Sequence, residues 1–295
     1  MMTISDTVRP MARLLLGVFI AVNALAMTAT ADEAAPRKAL KICADPNAMP
    51  MSNEAKEGYE NKIANLFAAD LNLPVEYTFF PQRMGFYRNT LKDTDTDDGS
   101  YKCDLVISAP EHLDFAANTK PYFYSTYVMV YAKGRGLDDI KSQEDLANLP
   151  PERIKKLRIG IFDRGPGTKW VAMHNLMDEA TPYQSMTADL SDYPGRIIEQ
   201  DMVNNKIDLA IVWGPIGGYY AKKIKDPQLV VIPMHSEPGI KFTYGITMAV
   251  RHGEKAWKQQ IDELISKHKS DIKAILADYG VPMVDAPVTT AKADD

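Results

Sequence analysis

Two successive runs of short apolar strands alternating with helical patterns fill most of this sequence, and few folds accept that alternation. In the first run, "LKICAD" (40–45) reads as a strand, and "YENKIANLFAADLN" follows with Ile63, Leu66, Phe67 and Leu71 at helical spacing. "PVEYTFF" (74–80) is a second strand, "MGFYRNTLK" a helix and "CDLVISA" (103–109) a third strand. A β-α-β-α-β run implies a mostly parallel sheet with right-handed crossovers. The second run opens with the strand "LRIGIF" (157–162) and a helix, "GTKWVAMHNLMDE", after Gly165-Pro166-Gly167. It continues through the helix "RIIEQDMVNNK", the strand "IDLAIVWG" (207–214), the helical "GYYAKKIK" and the extended "LVVIPM" (229–234). A chain of 295 residues has room for two such units.

Two extended segments tie the units together, "STYVMVYAKG" and "KFTYGITMAVR" (241–251). An amphipathic helix follows, with Trp257, Ile261, Leu264 and Ile265 on one stripe. This describes an α/β clamp with a mostly parallel sheet in each lobe. Lobe one takes 38–127 and 245–288, and lobe two takes 128–244 with hinge strands at both ends. Residues 289–295 form a flexible tail. In open α/β sheets ligands sit beyond the carboxyl ends of the strands. Those ends face each other across an interlobe cleft, which places Asp45, Asn47, Ser108 and Trp213 at its edge.

The N-terminus reads as a secretory signal peptide over residues 1–31. Arg9 and Arg13 precede the apolar run "LLLGVFIAVNALAM", and Ala29-Thr30-Ala31 supplies a small-residue cleavage site. The apolar run is shorter than the roughly 18–20 residues a membrane span needs. The expectation is export, with no membrane span in the mature protein. A formal net charge of −5 argues against a nucleic-acid partner, which favours a basic patch. Export makes a disulfide between Cys43 and Cys103 feasible. If their strands end at the same cleft, the two are staggered by about three residues, or about 10 Å. A bridge needs Cα atoms within about 7 Å, so a bridge and two separate buried thiols both stay open.

The layout resembles the type II periplasmic solute-binding proteins that feed ABC transporters, over essentially the whole mature chain. Within that fold, "CADPNAMPMSN", "GYENKIANLFAADL", "PQRMGFYRNTL", "TKPYFYSTYVMV" and "AIVWGPIGGYYAKK" resemble the MxaJ/XoxJ proteins associated with periplasmic methanol dehydrogenases. The resemblance implies a periplasmic accessory factor for a dehydrogenase dependent on pyrroloquinoline quinone. Its role would be assembly, activation or metal loading in a calcium or lanthanide system. The implied partners are methanol dehydrogenase or its subunit, and its cytochrome c. The alternative is a transporter receptor for a small uncharged or aromatic ligand.

Site chemistry separates the two. An amino-acid receptor of this fold needs an Arg for the ligand carboxylate, in the loop before the "PY" segment. That loop, "APEHLDFAANTKPY", holds Glu111 and His112 but no Arg. The Asp for the ligand ammonium is replaced by Trp213-Gly214-Pro215. Gly167 and Thr168 open a helix, which attracts anions or serves as a plain cap. Tyr122, Tyr124, Trp213, Tyr219 and Tyr220 stand as cleft-rim aromatics, although strand alternation turns about half of the aromatics in "YSTYVMVY" into the core, and the helix start at Tyr219-Tyr220 buries one of that pair. Arg83 and Arg88 flank Phe86 and Tyr87, a composition common at protein interfaces or simply a helix with two solvated arginines.

"DTDTDDGSYKCD" (93–104) has Asp93, Asp95 and Asp97 at calcium-loop spacing, but Asp98 stands where Gly is required. It reads as a solvated acidic loop, and no metal site is assigned. The five histidines form no HExxH pattern, and there is no G-x-S-x-G elbow or P-loop. No catalytic residue and no cofactor are assigned, and the chain is expected not to be an enzyme.

Overall fold

The computed structural model describes residues 37–287 apart from 84, 188 and 190. The expected signal peptide (1–31) and tail (289–295) lie outside the described residues. From the N-terminal side the elements are β1 (Leu40–Ala44), β2 (Asn47–Ala48), β3 (Ser52–Asn53), α1 (Tyr59–Leu71), β4 (Val75–Phe79), α2 (Phe86–Asn89), β5 (Leu105–Pro110) and β6 (Ala117–Asn118). Next come β7 (Phe123–Ala132), α3 (Gln143–Ala147), α4 (Pro151–Ile154), β8 (Ile159–Phe162), α5 (Pro166–Met173), β9 (Ala180–Tyr183) and a π-helical turn (Ile197–Met202). The chain continues with β10 (Leu209–Trp213), α6 (Gly214–Lys223), β11 (Leu229–Pro233) and β12 (Thr243–Val250), then α7 (Lys255–Lys267), α8 (Lys269–Asp278) and β13 (Met283–Val284).

Strand order is β4-β1-β5-β12-β7-β10-β8-β9. β4, β1 and β5 run parallel, as do β10, β8 and β9. The ten-residue β7 is shared. Its residues 123–126 pair with β12, and residues 127–131 pair with β10. The sheet therefore changes partners between Thr126 and Tyr127, and lobe one and lobe two below denote its two sides.

Each lobe buries its own apolar layer. In lobe one, Ile63 and Phe67 of α1 pack with Leu40, Leu105 and Trp257. Lobe two has one layer around Trp170, Tyr131 and Ile211 and a second around Val128, Ile197 and Tyr220. Helical spacing worked for α1 because Ile63, Ala64, Phe67 and Ala68 share its buried face.

Four segments differ from the sequence expectation. The helix expected over "GTKWVAMHNLMDE" stops at Met173. "MGFYRNTLK" yields only the four-residue α2, entered through Gly85 at φ 90°. "RIIEQDMVNNK" forms the π-helical turn. The C-terminal helix breaks at His268, whose ring stands 3.4 Å from Asp70 and 3.2 Å from Asp271.

Cys43 and Cys103 form a disulfide, with Cα atoms 5.4 Å apart. The three-residue stagger is real, since Cys43 pairs with Val106. However, Cys103 precedes β5, where the chain bends and the Asp104 N–H donates to the Lys41 carbonyl (2.8 Å). The bend brings the sulfurs together. Arg251, itself buried, fixes it by donating to the Cys103 and Leu91 carbonyls and pairing with Asp104 at 2.6 Å. Replacing both cysteines with serine should cost about 4 kcal/mol, because the bridge closes a 60-residue separation. Denaturant unfolding of the oxidised parent and the double variant measures this.

Candidate functional site: an interlobe cleft

β1 and β5 end where β10 and β8 end, so the loops after them enclose the space between the lobes. Two adjoining cavities occupy it, of about 230 and 270 Å³. Met51, Gln82, Tyr127 and Trp213 line both.

The charged groups of the first cavity are engaged by the protein itself. Asp45 Oδ1 accepts the Asn47 N–H (2.8 Å) and Oδ2 the Gln82 N–H, while the Asp45 N–H donates to Ser52 Oγ (3.0 Å). Asp45 thereby ties the β2–β3 hairpin to the β4–α2 loop. From that loop Arg83 crosses the cleft. Its guanidinium donates to the carbonyls of Thr187, Asp189 (2.9 Å) and Asp192 (2.8 Å) in lobe two. Arg196, the other arginine on the wall, pairs with Asp192 at 3.2 Å. Three of the five guanidinium N–H donors are thereby taken by lobe-two carbonyls.

The hinge side is aromatic. Tyr127 and Trp213 have ring centroids 5.5 Å apart, Trp213 and Tyr244 6.0 Å, and Tyr127 and Tyr244 6.3 Å. Burial pushes the Tyr127 hydroxyl up to about 12. Behind the lobe-one wall lies Glu60, 4% exposed, in the first turn of α1. Burial pushes its carboxyl up to about 7; the neighbouring Ser108 and Ser52 hydroxyls oppose this and the Asp45 charge adds to it. Ser108 lines the second cavity and its Oγ lies 3.2 Å from the Tyr59 hydroxyl.

The sequence-derived residues divide clearly. Asp45, Asn47, Arg83 and Trp213 line the first cavity, and Ser108 and Trp213 the second. Arg88 is exposed and outside both linings. Tyr122 donates its hydroxyl to the Ile107 carbonyl (3.1 Å), and Tyr124 lies on β7 where β13 pairs with it. Gly167 packs on Ile211, and Thr168 donates its hydroxyl to the Phe162 carbonyl, so the α5 start is turned to internal bonding. Tyr219 stacks on Tyr279 at 6.0 Å, away from both cavities. Tyr220 is core. The acidic loop 93–104 holds no metal-ligating group of three or more among the described residues.

At the end of β10, Trp213 turns its ring to both cavities and Gly214 has no room for a side chain. A Cβ there would lie 2.3 Å from the Thr126 carbonyl oxygen, where α6 crosses β7. Sequence reasoning missed Glu60, Tyr127, Tyr183, Gln184 and Tyr244. Glu60 did carry a signal: a lone acid beside the apolar "IANLF" face. The segment 183–194 carried none, being polar and aperiodic.

No protein-family model matches the chain. The structure resembles the crystal structure of periplasmic binding protein XoxJ from Methylobacterium extorquens AM1, at 32% identity and TM-score 0.65 over 84% of this chain and 100% of that one. It also resembles MxaJ from Methlophaga aminisulfidivorans MPT, at 22% identity and TM-score 0.68 over 83% of this chain and 100% of that one. Among curated proteins, MoxJ of Methylorubrum extorquens is 26% identical over 279 residues, covering 87% of this chain and 86% of its own. A 42-residue stretch is 57% identical to an uncharacterized protein of the cycB 3' region of Paracoccus denitrificans, spanning 51% of that protein. No helix among the described residues is long and apolar enough to cross a membrane.

Two outcomes follow from this geometry. Arg83→Ala should lengthen the mean interlobe distance between paired spin labels and cost about 2 kcal/mol, as three carbonyl contacts are lost. Arg83→Lys should recover only part, lacking the planar fork. The raised Glu60 carboxyl makes the folded chain hold an extra proton between the unfolded value, 4.5, and about 7. Its stability contribution is therefore full below the unfolded value and lost as pH rises through about 7, by about 3 kcal/mol in total. Glu60→Gln should flatten that slope in denaturant titrations from acid to mildly alkaline pH.

Proposed function

This chain belongs to the MxaJ/XoxJ family of periplasmic binding proteins, and from that premise we propose that it is a periplasmic accessory protein of a methanol dehydrogenase dependent on pyrroloquinoline quinone. It acts on assembly, activation or metal loading by docking the enzyme or one of its subunits. The observation that carries this reading is the fate of the cleft's charges. Arg83 is spent on three lobe-two carbonyls, Arg196 on Asp192, and Asp45 on two backbone N–H groups. An amino-acid receptor keeps a cation and an anion available for its ligand, and the stretch where the anion is expected reads Trp213-Gly214-Pro215, with no acid. A binding-protein frame without those charges suits a role other than amino-acid delivery.

Titrating the chain into apo and holo methanol dehydrogenase, with binding and enzyme activity read together, tests the reading. Saturable binding with a change in activity, weakened about tenfold or more by Trp213→Ala as expected for an aromatic anchor, is the predicted result. Absence of binding to either form, together with a thermal shift from an uncharged aromatic solute, would assign the chain to the transporter receptors.

A further inference from the structure

The hinge-side cavity combines an aromatic wall with a buried acid behind the wall opposite. Its wall carries three aromatic rings in mutual contact, Tyr127, Trp213 and Tyr244, on both sides of the hinge. Opposite them stand Tyr59 and Ser108, and behind Ser108 lies the buried Glu60 carboxyl. The titratable groups facing Glu60 are Asp45 at the end of β1, Tyr59 on α1, Tyr77 on β4, Tyr87 on α2 and Tyr122 before β7. None of these is a cation. Glu111 adds a further acid nearby, where it accepts the Gly245 N–H (3.2 Å) next to Tyr244. The arginines of the cleft are turned to lobe-two carbonyls and Asp192.

A pocket with π faces on one side and an uncompensated carboxyl behind the other favours positive charge. Ring quadrupoles attract an ammonium electrostatically, most strongly where water is excluded. The carboxyl gains a counter-charge that its own surroundings do not provide. One face of Tyr244 already shows the contact, with the exposed Lys241 ammonium 4.8 Å from its centroid.

We propose that the hinge side of the cleft is a receptor site for an alkylammonium group, seated against Tyr127, Trp213 and Tyr244 with Glu60 behind the opposite wall. The cleft thus selects a cationic guest, in place of the zwitterionic or uncharged ones its fold and rim suggest. The cation has two natural sources, a free amine or a lysine side chain on a protein segment. The site stands whether or not the chain docks a dehydrogenase, because its readout is small-molecule binding to the chain alone.

The test is calorimetric or NMR titration of the full chain at fixed ionic strength with n-butylammonium, 1-butanol and Nα-acetyl-lysine methylamide. Butylammonium should bind about tenfold more tightly than butanol, the span expected of a partly desolvated cation–π site. The preference should grow as pH rises through about 7, where Glu60 becomes charged. Glu60→Gln should abolish that growth, and Tyr244→Leu should weaken butylammonium more than butanol. Binding of the lysine derivative alongside butylammonium points to a protein source; binding of the free amine alone points to a small solute; either supports the cationic class. Equal or tighter binding of butanol, no saturable binding of either amine, or a preference untouched by both substitutions would overturn the proposal.

Discussion

One strand holds the two lobes in register. β7 gives its first four residues to the β12 ladder and its next five to the β10 ladder, without leaving extended geometry. Everything at the cleft inherits its position from that continuity. Tyr127 is the first residue past the change of partner, which puts its ring at the hinge against Trp213 and Tyr244. The same crossing forces Gly214 onto the Thr126 carbonyl, so the end of β10 presents a Trp ring and a side-chain-free turn. Behind the hinge, Lys222 of α6 donates to the Asp278 carbonyl (2.7 Å) and Tyr219 stacks on Tyr279, joining lobe two to the C-terminal helix.

Across the cleft the chain uses its own side chain as a tether. Arg83 gives lobe one a foothold of three carbonyls on lobe two. In a solute receptor, a ligand bridges the lobes and its binding energy draws them together. Here part of that bridging is internal, and it is anchored by Asp45, which holds the Gln82 N–H one residue before Arg83. A protein built this way gains less from a bridging solute and presents a more constant surface, a property that fits the proposed accessory role.

Most of the fold was legible because its signals are local. Strand lengths, helical spacing in α1 and the two β-α alternations all depend on neighbouring residues. The lone arginines and aromatics were harder. Arg83 and Arg88 look alike in "PQRMGFYRNT", yet one spans the cleft and the other faces solvent. Nothing within ten residues distinguishes them, since the partners of Arg83 lie more than a hundred positions away. Tyr124 and Tyr127 stand three apart on one strand and so face opposite sides, and the change of partner after Thr126 sets Tyr127 at the hinge. The disulfide turned on a bend at Asp104 that strand arithmetic does not contain.

Small-angle scattering of the chain with and without a panel of amino acids tests the central claim most directly. If the lobes are held by Arg83 and the cleft offers no charge pair, the radius of gyration stays constant across the panel. A wider profile that contracts on adding any one amino acid would contradict the account and make the chain an ordinary amino-acid receptor.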